Sequence, residues 1–177
     1  MEKPYRSNIL AKTLAFYGVF MTLYVAYKFL PVFPVNLISG VTESNFQHYK
    51  EGFYSYLIVN LVEYLVHRKQ VQDRVSYVYS RLFATIILPW VIFLLWYIAP
   101  AVVGRWPNNV YEIVYANVIT LLVGAVTVLL ERSLETATYQ RAQKTVLIIL
   151  FLASILLYFV FTYQLPWADV FVEPNWR

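Results

Sequence analysis

The chain has 177 residues, of which 60% are hydrophobic and only 14% are charged, and its formal net charge is +4. An average soluble domain is about 25% charged, so this composition excludes a disordered chain and argues against an ordinary water-soluble globule. The absence of cysteine excludes disulfides, thiolate zinc sites and cysteine nucleophiles. We therefore expect an integral membrane protein.

The first predicted membrane-spanning helix covers about residues 9–30. A hydrocarbon core about 30 Å thick needs roughly 20 apolar residues in a helix, and this stretch is long enough. Its two charged residues, Lys12 and Lys28, lie near its ends, where long side chains can reach the lipid headgroups.

The second helix is predicted at about residues 45–68. Ser44 followed three residues later by Gln47 has the spacing of a capping box, which indicates a helix start. The helix is apolar over much of its length but carries Asn60 and Glu63. At about 24 residues it is long enough to cross a bilayer with some tilt.

The remaining three helices follow from long apolar stretches, at about residues 82–104, 112–135 and 145–166. No linker or internal repeat divides the chain. We therefore predict an all-α fold in which residues 1–177 form a single integral membrane domain, a five-transmembrane-helix bundle.

The distribution of Lys and Arg predicts the orientation. Ten of the fourteen lie on one side, in the N-terminal segment and in the loops after the second and fourth helices. Short basic loops stay in the cytoplasm. The N-terminus is therefore expected in the cytoplasm and the C-terminus outside, in a multi-pass protein of the cell membrane.

Polar residues on the outer side form a candidate outer polar pocket. It consists of Glu43, Ser44, His48, Lys50, Glu51, Arg105, Asp169 and Glu173. A second set is intramembrane: Asn60, Glu63 and His67. On the second helix, the spacing of His48, Glu51, Glu63 and His67 places them roughly on one face, which should point into the bundle because polar groups in hydrocarbon need partners.

The candidate catalytic residues are His48, Glu51 and Glu63, which could serve in acid–base chemistry. For Glu63 two interpretations stay open: a proton-carrying or ligand-binding carboxylate, or an ion-pair partner of Lys12, Arg81 or His67. His48 with Glu51, and Glu63 with His67, have metal-ligand spacing, but a metal needs three or four convergent ligands. We therefore predict no metal and no cofactor other than a bound lipid.

Two motifs resemble those of a known family. Residues 42–50 resemble the Asn-Glu-Ser-x-x-Glu-His-x-Lys motif of a prokaryotic family of small polytopic integral membrane proteins of unknown function, and residues 171–174 resemble its terminal Phe-x-Asp-Pro motif. Glu63-Tyr64 is similar to a recurring Glu-Tyr pair of that family. The chain differs at three positions: Thr42 for Asn, Gln47 for Glu and Glu173 for Asp. The predicted topology puts both motifs outside, so we expect them to meet.

Three functions are compatible with these features. We favour a non-catalytic binding module, or an accessory subunit of a larger membrane assembly, with an outward-facing polar pocket. The alternatives are a membrane enzyme doing acid–base chemistry on a lipid-soluble substrate, and a transporter or pore formed by a homo-oligomer. The expected partners are membrane lipids, other membrane subunits or copies of the chain itself. Nucleic acid is not expected, because the basic residues flank apolar spans.

Overall fold

A computed structural model describes residues 5–104 and 108–173 of the chain, apart from the side chain of Asp169. These residues form helices and no strand, which confirms the all-α prediction. The helices are α1 (Ile9–Phe29), α2 (Val35–Ile38), α3 (Asn45–His67), α4 (Arg74–Val103), α5 (Asn109–Leu134) and α6 (Arg141–Tyr163). A single 3-10 turn, Asp169–Phe171, follows α6.

Four of these helices, α1, α4, α5 and α6, are long and apolar enough to span a membrane. The fifth long helix, α3, has 23 residues, which is also sufficient length. It is less apolar because it carries the polar residues discussed below.

The helices α4, α5 and α6 begin earlier than the charge-free stretches suggest, because polar side chains cap each start. Asp73 accepts hydrogen bonds from the backbone N–H groups of Val75 and Ser76, so α4 begins at Arg74 and includes Arg81. Asn108 caps α5 in the same way. A capping box of Gln140 and Gln143 begins α6. These side chains satisfy N–H groups that have no partner inside the helix.

At the start of α3 the predicted boundary agrees with the structure but the predicted capping box does not form. Ser44 is the residue before the helix, yet its side chain makes no capping hydrogen bond. Its hydroxyl instead accepts a hydrogen bond from the Thr42 hydroxyl at 3.2 Å. Gln47 is buried, and its side-chain oxygen has no partner among the described residues.

Helix α3 packs against both α1 and α4, and it is polar on the inside. Its buried polar side chains are Gln47, Lys50, Glu51, Ser55 and Asn60. Its exposed side chains near the C-terminal end are Leu61, Val62, Leu65 and Val66. This arrangement suits a helix surrounded by lipid, in which polar groups must find partners inside the bundle.

The apolar core lies where α1, α3, α4 and α5 meet. Phe16, Tyr56, Leu88 and Val123 are fully buried there. Gly124 on α5 allows close approach of α1, since a Cβ atom at that position would lie 2.8 Å from Cδ1 of Phe16. Small residues at helix contacts are a common means of close packing in membrane bundles.

Candidate functional site

A pocket of about 230 Å³ lies among α1, α3, α4 and α5. Its walls are mainly apolar and aromatic, and they include Phe20, Met21, Tyr49, Ile92, Trp96, Ala116 and Ile119. Its polar lining consists of Tyr24, Glu43, Asn45, His48, Glu112, Asn117 and Thr120. An apolar cavity with a few convergent polar groups is the usual form of a small-molecule site. We call it the His48 pocket.

Two apolar residues in the lining of the His48 pocket reach the surface of the bundle. Met21 of α1 and Ile113 of α5 line the pocket and are both exposed at the surface of the bundle. Part of the apolar lining, on α1 and α5, is therefore accessible from outside the bundle.

His48 is held by a buried carboxylate. Its Nδ1 lies 3.0 Å from Oε2 of Glu51, one turn along α3. The other carboxylate oxygen of Glu51, Oε1, accepts the backbone N–H of Gly40 at 2.8 Å. Glu51 is completely buried, whereas the His48 side chain is 30% exposed and lines the pocket. The buried partner thus orients a ring that reaches the cavity.

This arrangement determines which nitrogen of His48 carries the proton. An ionised carboxylate only accepts hydrogen bonds, so Nδ1 must carry the hydrogen that faces Glu51. In the neutral imidazole, Nε2 then has a free lone pair. Among the described residues, no hydrogen bond to Nε2 is formed.

Gly40 is required for this contact. A Cβ atom on Gly40 would lie 2.2 Å from Oε1 of Glu51, which is far inside van der Waals contact. Only glycine therefore lets the backbone approach the carboxylate closely enough to donate to it.

A second, polar pocket of about 210 Å³ adjoins the first and shares Tyr24 and Glu43 with it. Its further lining residues are Lys28, Gly40, Val41, Thr42, Glu51 and Glu173. Lys28 Nζ and Glu43 Oε1 form an ion pair at 2.6 Å, and the Tyr24 hydroxyl donates to Oε2 of Glu43 at 3.1 Å. Burial alone would raise the pKa of Glu43, but the hydrogen bond and charge of Lys28 hold that pKa below its ordinary value.

The C-terminal segment meets the start of α3, as the topology predicted. Oε1 of Glu173 accepts the backbone N–H of Glu43 at 3.2 Å. The rings of Phe171 and Phe46 pack with centroids 4.7 Å apart, and Phe161 contacts Phe171 as well. The two motifs that carry the family resemblance are therefore in contact, although Pro174 lies outside the described residues.

The residues predicted for the outer pocket are only partly brought together. Glu43, His48, Glu51 and Glu173 line one or both pockets. Ser44 is buried beside them but lines neither pocket. Arg105 lies outside the described residues, as does the side chain of Asp169.

Lys50 lines neither pocket. It is fully buried, and its ammonium donates to the backbone carbonyl of Asn36 at 2.9 Å and to the Thr162 hydroxyl at 3.1 Å. Lys50 therefore connects α3 to α2 and α6. Its spacing from His48 does not place the two side chains in one cavity.

The three residues predicted as intramembrane lie toward the other end of the bundle. Asn60 donates to the Thr85 hydroxyl at 3.1 Å. The His67 ring stacks on Tyr5 with centroids 3.8 Å apart. Glu63 belongs to a group that we call the ion cluster, which consists of Lys12, Glu63, Arg81, Glu131 and Glu135.

Within the ion cluster, Glu63 pairs with Lys12 at 2.6 Å and with Arg81 at 3.2 Å. It also accepts hydrogen bonds from the hydroxyls of Tyr5 and Tyr77. Burial and the charge of Glu63 raise the pKa of Tyr5, which lies outside the helices, well above its ordinary value. Both oxygens of Glu63 thus have partners, and two of the three predicted ion-pair partners are the ones it contacts.

Glu131 completes the ion cluster, a role that the sequence analysis did not predict. It is fully buried and pairs with Lys12 at 2.6 Å and Arg81 at 3.3 Å, while the Tyr56 hydroxyl donates to it at 2.8 Å. Two cations and three carboxylates therefore join α1, α3, α4 and α5. This composition resembles a structural network more than an open site, because every charged group already contacts a group of opposite charge.

Sequence reasoning also missed Tyr24, Gly40 and Trp96 in the lining of the two pockets. These residues come from α1, from the segment before α3 and from α4. No motif marks them, because their proximity to His48 arises only when the helices pack.

No group of three His, Cys, Asp or Glu side chains within residues 5–104 and 108–173 is arranged to hold a metal ion. Comparison of the chain with protein-family models, curated proteins and solved structures finds no match. The site must therefore be interpreted from its own geometry.

Proposed function

We propose that this protein is a binding module for a lipid-soluble ligand in the cell membrane. The observation that carries the proposal is the His48 pocket: a mainly apolar cavity, with exposed apolar residues in its lining and one imidazole oriented by a buried carboxylate. Its volume is below the roughly 300–1,000 Å³ of pockets that enclose drug-sized ligands. It therefore suits the polar end of a ligand whose chain extends into the bilayer.

The proposal includes five membrane crossings, with the N-terminus in the cytoplasm and the C-terminus outside. Support comes from the four apolar helices and from the burial of Lys50 and Glu51 within the bundle, which lets α3 cross as well. Exposed Met21 and Ile113 would then face lipid, and a ligand could enter from the bilayer. A reporter fused after Arg177 should be found outside the cell; a cytoplasmic reporter would contradict this topology.

The test of ligand binding is to fill the pocket. Ala116 lines the His48 pocket, so Ala116→Phe should occupy the space that a ligand needs. Ala142 lies on the exposed surface of α6, and Ala142→Phe is the matched control. We expect a lipid-soluble molecule to copurify with the native chain and with Ala142→Phe, and to fall at least tenfold with Ala116→Phe. Equal retention by all three proteins would contradict the proposal.

We propose as a second candidate an enzyme that does acid–base chemistry on a lipid-soluble substrate. The observation that favours it is the same pair, since a His held by a carboxylate through Nδ1 can take up a proton at Nε2. Glu63 is not part of this candidate, because it lies in the ion cluster. If the enzyme hypothesis holds, His48→Gln should retain unreacted substrate, and mass spectrometry should find a different molecule from that bound to the native chain.

We also propose membership of the family that residues 42–50 and 171–174 resemble. The contact between these two motifs supports it, because both motifs then belong to one part of the structure. The resemblance implies no activity, so the binding proposal does not depend on it.

A further inference from the structure

We infer that the ligand of the His48 pocket is a lipid-soluble alcohol, whose hydroxyl donates a hydrogen bond to Nε2 of His48. This inference rests on the proposed binding function and names the chemical class of ligand that the pocket selects. It depends on the distribution of hydrogen-bond donors and acceptors around the cavity.

Most polar side chains of the pocket already direct a hydrogen to another part of the protein. The Tyr24 hydroxyl donates to Glu43, and the Thr120 hydroxyl donates to the carbonyl of Ala116 at 2.8 Å. The Asn117 amide donates to the carbonyl of Ile113 at 2.6 Å. The hydroxyl hydrogens of Tyr24 and Thr120 and one of the two amide hydrogens of Asn117 are therefore committed to the bundle.

Two side chains of the pocket offer acceptors to a ligand. In the neutral ring, Nε2 of His48 has a lone pair, because Glu51 holds the hydrogen on Nδ1. Glu112 also lines the pocket, and its carboxyl oxygens are further acceptors. A ligand that brings a donor can pair with these atoms, whereas one with only acceptors leaves them unpaired in an apolar cavity.

The same geometry predicts how the preference can be reversed. In Glu51→Gln, the backbone N–H of Gly40 should keep the amide oxygen on its own side, because it already binds Oε1 there. The amide NH2 then faces Nδ1 of His48 and donates to it. The ring hydrogen moves to Nε2, which becomes a donor and should select a ligand with an acceptor.

The experiment uses the full chain in phospholipid nanodiscs at pH 9.5, about three units above the ordinary pKa of an imidazole, which favours the neutral ring. The probes are 1-dodecanol, its methyl ether and 2-tridecanone, and binding to Ala116→Phe is subtracted as background. We expect the native chain to bind the alcohol at least tenfold more tightly than the ether or the ketone. Glu51→Gln should bind the ketone more tightly than the alcohol.

A further variant separates the role of Nε2 from that of the fold. His48→Phe keeps an aromatic ring in the wall but removes the acceptor, so it should bind alcohol and ether equally. Equal binding of alcohol and ether by the native chain would overturn the inference and leave the binding function standing. Failure of all three probes to bind above the Ala116→Phe background would contradict both.

Discussion

The backbone N–H of Gly40 and the carboxylate of Glu51 are joined by a hydrogen bond of 2.8 Å that only glycine permits at that position. Through this bond, the segment before α3 holds a fully buried carboxylate, which in turn holds His48 at the pocket wall. The orientation of the imidazole therefore depends on a residue that lies outside the helices and lines only the second pocket.

Substitution Gly40→Ala should displace Glu51 and disturb His48. The added carbon would lie 2.2 Å from Oε1, so the carboxylate must move and lose its backbone donor. We expect a loss of about 1–3 kcal/mol in unfolding free energy, measured by thermal unfolding in detergent. Gly18→Ala is the control, because nothing lies within 4 Å of its added carbon. Equal stability of the two variants would refute the role of Gly40.

The ion cluster should behave as one coupled unit. Lys12→Met removes the cation shared by Glu63 and Glu131, and loss of one partner of a buried pair costs about 3–5 kcal/mol. Adding Glu131→Gln removes one of the carboxylates left uncompensated, so the double variant should lose at least about 1 kcal/mol less than the sum of the single losses. A double-mutant cycle of unfolding free energies tests this, and strict additivity would argue against coupling.

The C-terminal turn should contribute to stability through Phe171. Its ring packs against Phe46 and Phe161, so Phe171→Ala should lower the unfolding free energy by about 1–2 kcal/mol. The neighbouring Val172 is 53% exposed. Val172→Ala should therefore change the unfolding free energy by less than about 0.5 kcal/mol. If Phe171→Ala were as stable as Val172→Ala, the turn would not hold the start of α3.

The ion pair of Lys28 and Glu43 should contribute to stability in a pH-dependent way. The pKa of Glu43 in the folded protein is below its ordinary value of 4.5. The ion pair therefore stabilises the folded protein fully at pH values above 4.5, the ordinary pKa of Glu43. This stabilisation is lost as the pH falls through the lower pKa that Glu43 has in the folded protein. Between pH 6 and pH 3, the melting temperature of the native chain should fall more steeply than that of Glu43→Gln. Parallel curves would show that the ion pair contributes nothing.

Several features of the fold could be predicted from the sequence because they depend on local composition. Long apolar stretches indicate helices, and the helix that begins at Asn45 was predicted from Ser44 even though the expected capping box is absent. The helix starts at Arg74 and Arg141 were missed, because the apolar pattern alone does not reveal where a capping side chain begins a helix.

The pairing of His48 with Glu51 could also be anticipated, since the two residues are one turn apart on a single helix. The roles of Lys50 and Glu131 could not. Lys50 is adjacent to Glu51 in sequence but points to α2 and α6, and Glu131 meets Lys12 from a helix more than a hundred residues away.

The sequence by itself determined that this chain is helical and apolar enough for a membrane, because hydrophobicity and helix length are properties of contiguous residues. The tertiary structure alone decided that Tyr24, Gly40 and Trp96 gather around the His48–Glu51 pair. Those contacts depend on which faces of α1, α3, α4 and α5 meet. Packing of side chains that lie far apart in the chain selects those faces, and no local pattern encodes it.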